Sequence, residues 1–408
     1  MADKEPKIRF DGFNEDWKGY KLSEISDRYK ELIPTPTDGY WRLGVRSHAK
    51  GTFLRYVPPG KQLGEAELSK VLPNNIMFNI VFAWEHAVAI TKDGDEKALV
   101  SHRFPQFTFH EDMSPDFFRY AILDERFRHH LWLASPSGAG RNKTLILDEA
   151  IDYKFTIPKQ KEQEKVAAFL THLDKLIEEQ QNKFQKYVII KKNLLNKLFP
   201  QKGSKIPEMR IADFNEEWSE RKLWSITIWD KKFNEVDSEK QPKIIKYPYV
   251  LADVFNQIED NSGTVRLLST GNYQGYTTEE KAGENLCEGE VVAIPWGGVP
   301  NVKYYNGKFV TADNRIATSS DIKVLNNKFL SLWMQSHLDE IGSMYRGASI
   351  KHPSMREILE MDIQLPSLKE QEKITSLVFG IEELIDFEQS KIDKLQNIRK
   401  SCLENMLI

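Results

Sequence analysis

The chain has 408 residues, 40% of them hydrophobic and 29% charged, with a formal net charge of −3. That length is too great for one ordinary core and points to two or three domains. The slight excess of acid excludes a surface that binds polyanions everywhere, so any nucleic-acid function has to rest on local patches.

Residues 1–150 read as mixed strand and helix. Asn79-Ile80-Val81-Phe82 and Ala87-Val88-Ala89-Ile90 are extended runs, while Pro58-Pro59-Gly60 and Lys92-Asp93-Gly94-Asp95 are turns. A helix is predicted over Asp116–Leu133. Next comes Ile157-Pro158-Lys159-Gln160-Lys161-Glu162-Gln163, opening a long segment with apolar residues at helical spacing. Phe199-Pro200-Gln201-Lys202-Gly203-Ser204-Lys205 has the composition of a linker. Residues 206–358 repeat the mixed pattern, with strands at Val291–Ile294 and Lys308–Thr311, a helix near Asn327–Ile341, and Asn306-Gly307 marking a hairpin tip within Pro300–Lys308. Finally Leu365-Pro366-Ser367-Leu368-Lys369-Glu370-Gln371 opens a second long segment.

The two long segments are copies, offset by 208 residues. Each predicts a helix of about 40 residues, roughly 60 Å long. Proline suits the first turn of each, and Ser367 with Glu370 reads as a capping box. A second repeat precedes them: Phe13-Asn14-Glu15-Asp16-Trp17 matches Phe214-Asn215-Glu216-Glu217-Trp218. Trp84 and Arg103 share an offset of 212 with Trp296 and Arg315. The order is therefore globular, helix, globular, helix. Boundaries fall at 1–150, 151–199, 200–358 and 359–408, and the fold class is α+β with an internal pseudo-two-fold repeat.

Both helices carry a heptad seam. In the first it runs through Leu173, Ile177, Gln180, Phe184, Tyr187, Lys191, Leu194 and Leu198; in the second through Ile381, Ile385, Glu388, Ile392, Leu395, Arg399, Cys402 and Met406. A parallel pair would set Lys191 beside Arg399. An antiparallel pair sets Lys191 near Glu388 and Gln180 near Arg399, so the charges favour antiparallel packing.

Residues 41–61 hold five cationic residues and no acidic one, Arg46, His48, Lys50 and Arg55 lying among glycines and aromatics. Such a loop suits phosphates and base edges; a plain solvated basic surface is the other reading. Arg141 and Lys143 lie in a glycine-containing basic loop before the first long helix, and Arg346 and Lys351 in its counterpart before the second. Asn272, Tyr273 and Gln274 form a polar loop suited to adenine, or to satisfying a turn. Lys303, Tyr304 and Lys308 project from the predicted hairpin. Arg103 and Arg315 read equally as DNA contacts or as buried partners of carboxylates.

Nothing here is catalytic. An Asn/Asp-Pro-Pro-aromatic motif, a glycine-rich cofactor loop and a P-loop are all missing, and the nine histidines show no metal-ligand spacing. Cys287 and Cys402 are the only cysteines, which excludes a disulfide framework and reads as buried thiols. With no apolar run of membrane-spanning length and charge throughout the first thirty residues, a cytoplasmic protein without membrane contact is expected.

Two diverged globular units, each followed by a helix opening Pro-x-x-x-Glu-Gln (Pro158, Glu162, Gln163; Pro366, Glu370, Gln371) and each carrying Phe-x-x-x-Trp (Phe13, Trp17; Phe214, Trp218), resemble the specificity subunit of a type I restriction-modification enzyme. The resemblance covers essentially the whole chain. It implies two target recognition domains, each reading half of a split DNA sequence, separated by two long helices forming an antiparallel coiled coil. It implies two modification (methyltransferase) subunits as partners, together with ATP-dependent restriction subunits. S-adenosylmethionine, ATP and Mg are then expected on those partners, with no cofactor on this chain. A coiled-coil adaptor that does not bind DNA and a fused methyltransferase-nuclease are the alternatives.

Overall fold

The computed structural model describes residues 5–407 apart from 63, 65, 137–142, 202, 231–240 and 242, and the side chain of 252. The chain forms two compact units, Met1–Gln181 with Ser390–Ile408, and Asn182–Gln389. Each long helix is therefore shared between the two.

In the first unit the elements run β1 (Lys18–Lys21), α1 (Leu22–Ile25), β2 (Ser26–Tyr29), β3 (Leu32–Pro34), β4 (Tyr40–Val45), β5 (Thr52–Val57), β6 (Glu67–Lys70), β7 (Ile76–Phe78), β8 (Val88–Ile90), β9 (Ala98–Val100) and β10 (Gln106–Phe109). Helices α2 (Pro115–Ala121), α3 (Glu125–Leu133) and α4 (Leu147–Ile151), strand β11 (Lys154–Ile157) and the start of α5 (Gln160–Leu198) follow. One sheet has the order β3-β6-β9-β4-β5, a second β2-β10-β7-β8, and β1 pairs with β11. A core rich in phenylalanine, including Phe117, Phe118 and Phe127, gathers Trp17 with Val166 and Leu170 of α5.

The predicted helix over Asp116–Leu133 is two helices. The Asp124 carboxylate accepts the Arg126 amide at 2.8 Å, so it caps a new helix instead of continuing the old one. The extended run at Asn79–Phe82 is also revised: the strand ends at Phe78, and the Asn79 side chain accepts from Val81 N at 3.2 Å, closing a turn.

The second unit contains the rest of α5, then β12 (Ser219–Lys222), α6 (Leu223–Ile226), β13 (Thr227–Trp229), α7 (Ala252–Ile258), β14 (Val265–Leu268), β15 (Gln274–Thr277) and α8 (Glu279–Ala282). It continues with β16 (Cys287–Pro295), β17 (Lys303–Thr311), β18 (Asn314–Ser319), α9 (Asn327–Ser336), α10 (Leu338–Ser343), β19 (Tyr345–Arg346), β20 (His352–Pro353), α11 (Met355–Leu359) and β21 (Asp362–Leu365). The last helix, α12 (Leu368–Met406), begins here and ends in the first unit. The main sheet has the order β13-β18-β16-β17-β14-β15.

Asn306-Gly307 is not a hairpin tip. Both residues lie inside β17, where Gly307 faces Gly289 and Asn306 faces Glu290 across β16. Gly307 has φ +138° and Gly289 +156°, so paired glycines bend a continuous ribbon where a turn was expected. The real connection is Trp296–Val302. The helix near Asn327–Ile341 is likewise divided at His337.

The repeated Pro-x-x-x-Glu-Gln start has the same physical cause in both units. Glu162, 3% exposed, accepts from Arg9 at 2.7 and 2.8 Å, and Arg9 also donates to the Glu15 carbonyl. Glu370, 1% exposed, accepts from Arg210 at 2.8 and 2.9 Å, and Arg210 also donates to the Glu216 carbonyl at 2.5 Å. A carboxylate this deep is tolerable only with a bidentate cation. That demand overrides the predicted capping box: Glu370 turns to Arg210.

The neighbouring glutamine is a clamp. Gln163 donates to the Pro158 carbonyl and accepts from Ser114 N, the residue that caps α2; Gln371 donates to the Pro366 carbonyl and accepts from Asn326 N, which caps α9. The motif thus fastens each long helix to the globular part before it.

Within the first unit, Cys402 and Met406 of α12 join the core of Val166 and Leu170; within the second, Ile374 and Val378 join that of Leu198. In each unit α5 and α12 therefore run antiparallel. Of the seam residues, Leu173, Ile177, Leu198, Glu388, Ile392, Cys402 and Met406 are buried and the others half-buried or, at Gln180, buried at the Oε1 atom.

The predicted ion partners need correction. Arg399 Nε lies 2.5 Å from Asp174, six residues before Gln180, and Lys191 Nζ lies 2.6 Å from Glu382, six residues before Glu388. The long cations leave the apolar seam and reach acids on its partly solvated edge. Asp174 and Glu382 are equivalent under the same 208-residue offset as Lys191 and Arg399, so the two bridges are one interaction used twice.

Candidate nucleic-acid interface

In the first unit the acid-free stretch forms the β4–β5 ribbon, with β5 at the edge of its sheet. Arg42 lies directly opposite Arg55, and Gly44 opposite Phe53. A Cβ on Gly44 would come within 2.3 Å of the Phe53 ring, so glycine lets that ring lie across the ribbon. Arg46 then stacks on it, its guanidinium 5.1 Å from the ring centroid, and donates to the Thr52 carbonyl at 2.5 Å. Among the described residues neither Arg42 nor Arg55 has an ion pair. Like charges set directly opposite each other disfavour a strand pair, and an anionic ligand between them removes that penalty.

The turn after β4 is fixed through its backbone. His48 and Ala49 adopt φ of +61° and +48°, and their amides donate to Glu85 and His86 carbonyls, both at 2.8 Å. Lys50 is exposed at the turn. The same 79–86 segment gathers other candidates: Lys143 lies 5.2 Å from the Trp84 ring and 4.7 Å from Trp132, and the Arg103 carbonyl accepts from Ile80 N. Arg103 is exposed. Arg141 lies outside the described residues.

In the second unit the structure brings Asn272, Tyr273, Gln274, Lys303 and Tyr304 around one cleft of about 640 Å³. The loop after β14 is held by the Ser269 hydroxyl, which donates to the carbonyls of Gly271 and Tyr273. Asn272, Tyr273 and Gln274 are exposed there. The Lys303 ammonium donates to the Ser269 carbonyl, and burial, with Arg266 adding to it, pulls its pKa down to about 8. Tyr304 is engaged in structure: its hydroxyl donates to Glu290 at 2.7 Å, and burial pushes its pKa well up.

Other candidates are placed differently. Arg315 is fully buried, its guanidinium 3.9 Å from the Trp296 ring centroid, and has no access to DNA; the strand pattern of β18 turns it inward. Lys308 lies mid-strand and pairs with Glu279 at 2.6 Å. Arg346 pairs with Glu357 at 2.8 Å. Lys351 is exposed, and its carbonyl accepts from Gly298 N, joining its loop to the Trp296–Val302 connection. Gly347, with φ +139°, makes that loop's turn; a Cβ there would meet the Ile350 carbonyl oxygen at 2.2 Å.

Sequence reasoning passed over Arg42 and Arg266. Arg42 lay inside the acid-free stretch and was open to discovery once the strand register paired it with Arg55. Arg266, a lone cation in the apolar run Val265–Leu268, carried no signal.

A family model described as the type I restriction modification DNA specificity domain matches residues 215–397. The internal repeat extends the same organisation to the first unit. Residues 215–397 of this chain thus match the type I restriction modification DNA specificity domain. Its fold is that of the S subunit of a type I restriction-modification system from M. genitalium, which aligns over 99% of both chains with a TM-score of 0.62 at 13% identity. A chain from a structure of the complex assembly and conformational transition of a type I R-M system aligns over 96% of this chain and 97% of its own, with a TM-score of 0.51 at 12% identity. Among the described residues no three His, Cys, Asp or Glu side chains gather to hold a metal, both cysteines are buried free thiols, and no helix is long and apolar enough to cross a membrane.

Proposed function

We propose that each unit reads one half of a bipartite, asymmetric DNA target, the first through the β4–β5 ribbon and the loops around residues 79–86, the second through the cleft at Asn272–Gln274 and Lys303. The observation that carries this reading is the contrast between the two units. Their repeated scaffold is the same: β1–β11 and β12–β21 pair in the same register, and the Glu162–Arg9 and Glu370–Arg210 clamps match. Their candidate surfaces are unlike, an arginine ribbon in one and a tyrosine-, asparagine- and lysine-lined cleft in the other. One scaffold with two readers suits two unlike half-sites.

In this reading α5 and α12 set the spacing between half-sites and dock two modification subunits. Those subunits bring S-adenosylmethionine and methylate adenine, and ATP- and Mg-dependent restriction subunits complete the assembly. The specificity chain itself is non-catalytic and works in the cytoplasm. Exchanging residues 206–358 for those of another specificity chain tests the assignment. One half of the methylated sequence should change; a change in both halves, or in neither, contradicts it.

A further inference from the structure

The cleft of the second unit holds two cations in an arrangement that its own protein groups leave incomplete. Arg266 on β14 is half-buried, and among the described residues its guanidinium has one partner, the ring of Tyr276 directly across the strand pair, 5.0 Å away. Lys303, at the start of β17, is half-buried and bonded to a carbonyl, which leaves its charge uncompensated. Burial and Arg266 are the influences that act on its ammonium, and both disfavour the charge. The carboxylates lining the cleft are otherwise disposed. Glu382 is bound to Lys191, and Asp386 is exposed to solvent.

Two half-buried cations without a carboxylate are unfavourable as they stand and favourable as soon as an anion enters. Tyrosine hydroxyls and the amides of Asn272, Gln274, Asn301 and Gln335 are among the other polar groups. Burial holds Tyr305 above its ordinary pKa, so it remains an O–H donor at neutral pH. Fixed donors and paired positive charge in this cleft suit a phosphodiester.

We infer that Arg266 and Lys303 seat one backbone phosphate of the bound DNA, and that this contact sets how deeply the half-site enters the cleft where Asn272 and Gln274 face its bases. The inference rests on the DNA-reading function above. It assigns Arg266 a positioning role, distinct from base recognition: a guanidinium held over the Tyr276 ring, 5.0 Å from its centroid, keeps N–H donors for a phosphate.

The test uses the full chain with a duplex containing its target sequence, in a series where each phosphate of the second half-site is replaced singly by an uncharged methylphosphonate. In the natural chain one linkage, or two adjacent ones, should weaken binding about tenfold. Arg266→Ala should lose about as much on natural DNA and nothing further at that linkage, with a salt slope reduced by about one. Arg266→Lys, which keeps the charge and the fold, should retain the slope. If every linkage affects the natural chain and Arg266→Ala alike while both bind the duplex, the phosphate seat is wrong and the DNA-reading function stands. If the loss follows replacement of a guanine instead of a linkage, Arg266 is a base reader and the inference is again overturned. If the natural chain binds its duplex no better than unrelated DNA, the underlying function falls, and the seat with it.

Discussion

Replacing Arg210 with alanine is expected to destabilise the second unit far more than an exposed ion pair would suggest. The guanidinium holds Glu370 by two hydrogen bonds of 2.8 and 2.9 Å, with the arginine side chain 17% exposed and the glutamate 1%. Removing Arg210 leaves a deeply placed carboxylate without its cation, a change that costs about 3–5 kcal/mol when a buried pair is broken from one side. The double variant Arg210→Met with Glu370→Leu removes both charges and should lose much less, about 1 kcal/mol. Urea denaturation followed by amide hydrogen exchange within residues 206–379 separates the second unit from the first. The reasoning is refuted if the single variant is no less stable than the double, or if its exchange is unchanged near α9 and the start of α12. The equivalent experiment at Arg9 and Glu162 should give the same ordering in the first unit.

DNA affinity should weaken as pH rises from 7 to 9. Burial, with Arg266 adding to it, pulls the Lys303 pKa down to about 8; the ammonium faces Lys191, Glu382 and Asp386 from the helices, Tyr276, Tyr304 and Tyr305 from the sheet and Tyr273 from the loop before β15, and only its charged form attracts phosphate. Because its folded pKa is depressed below about 10.4, its contribution to stability has the opposite sign: the fold gains between roughly pH 8 and 10 while binding declines. Lys303→Gln should flatten the binding profile, and an unchanged slope excludes Lys303 as the titrating group. Arg55→Ala should weaken binding to specific and unrelated duplexes alike and lower the salt slope by about one; selective loss at one base pair would make Arg55 a base reader. Arg315→Ala should destabilise by about 3 kcal/mol through lost packing on Trp296, measured by denaturation, and leave the salt slope of DNA binding unchanged.

Much of the scaffold was legible because it is repeated. Proline, glutamate and glutamine recur at fixed spacing since each has a defined partner: an arginine for the glutamate, a helix cap for the glutamine. The arginines themselves escaped notice, because Arg9 and Arg210 lie about 150 residues or more from their partners in sequence and only the fold brings them near. The ion bridges between α5 and α12 were misplaced for a related reason. A heptad pattern identifies the seam, but long side chains choose their partners at its edge.

The candidate surfaces were legible only as composition. An acid-free stretch pointed to the β4–β5 ribbon, yet which of its cations face one another depends on register. Asn306-Gly307 shows the reverse error: a local turn signal yielded to seven residues of strand pairing against β16. Arg315 and Arg266 look alike in sequence, each a lone charged residue within a strand. One is sealed against Trp296 and the other opens on the cleft, a difference that tertiary packing alone decides.

Mapping methylated adenines by single-molecule sequencing, in cells that carry this chain with the modification subunits proposed for it, tests the central claim most directly. Two unlike readers on one repeated scaffold predict a single motif made of two different specific halves separated by a fixed unspecified gap, and its methylation should vanish when this chain is deleted. A continuous motif, two identical halves, or methylation that persists without the chain would contradict the account.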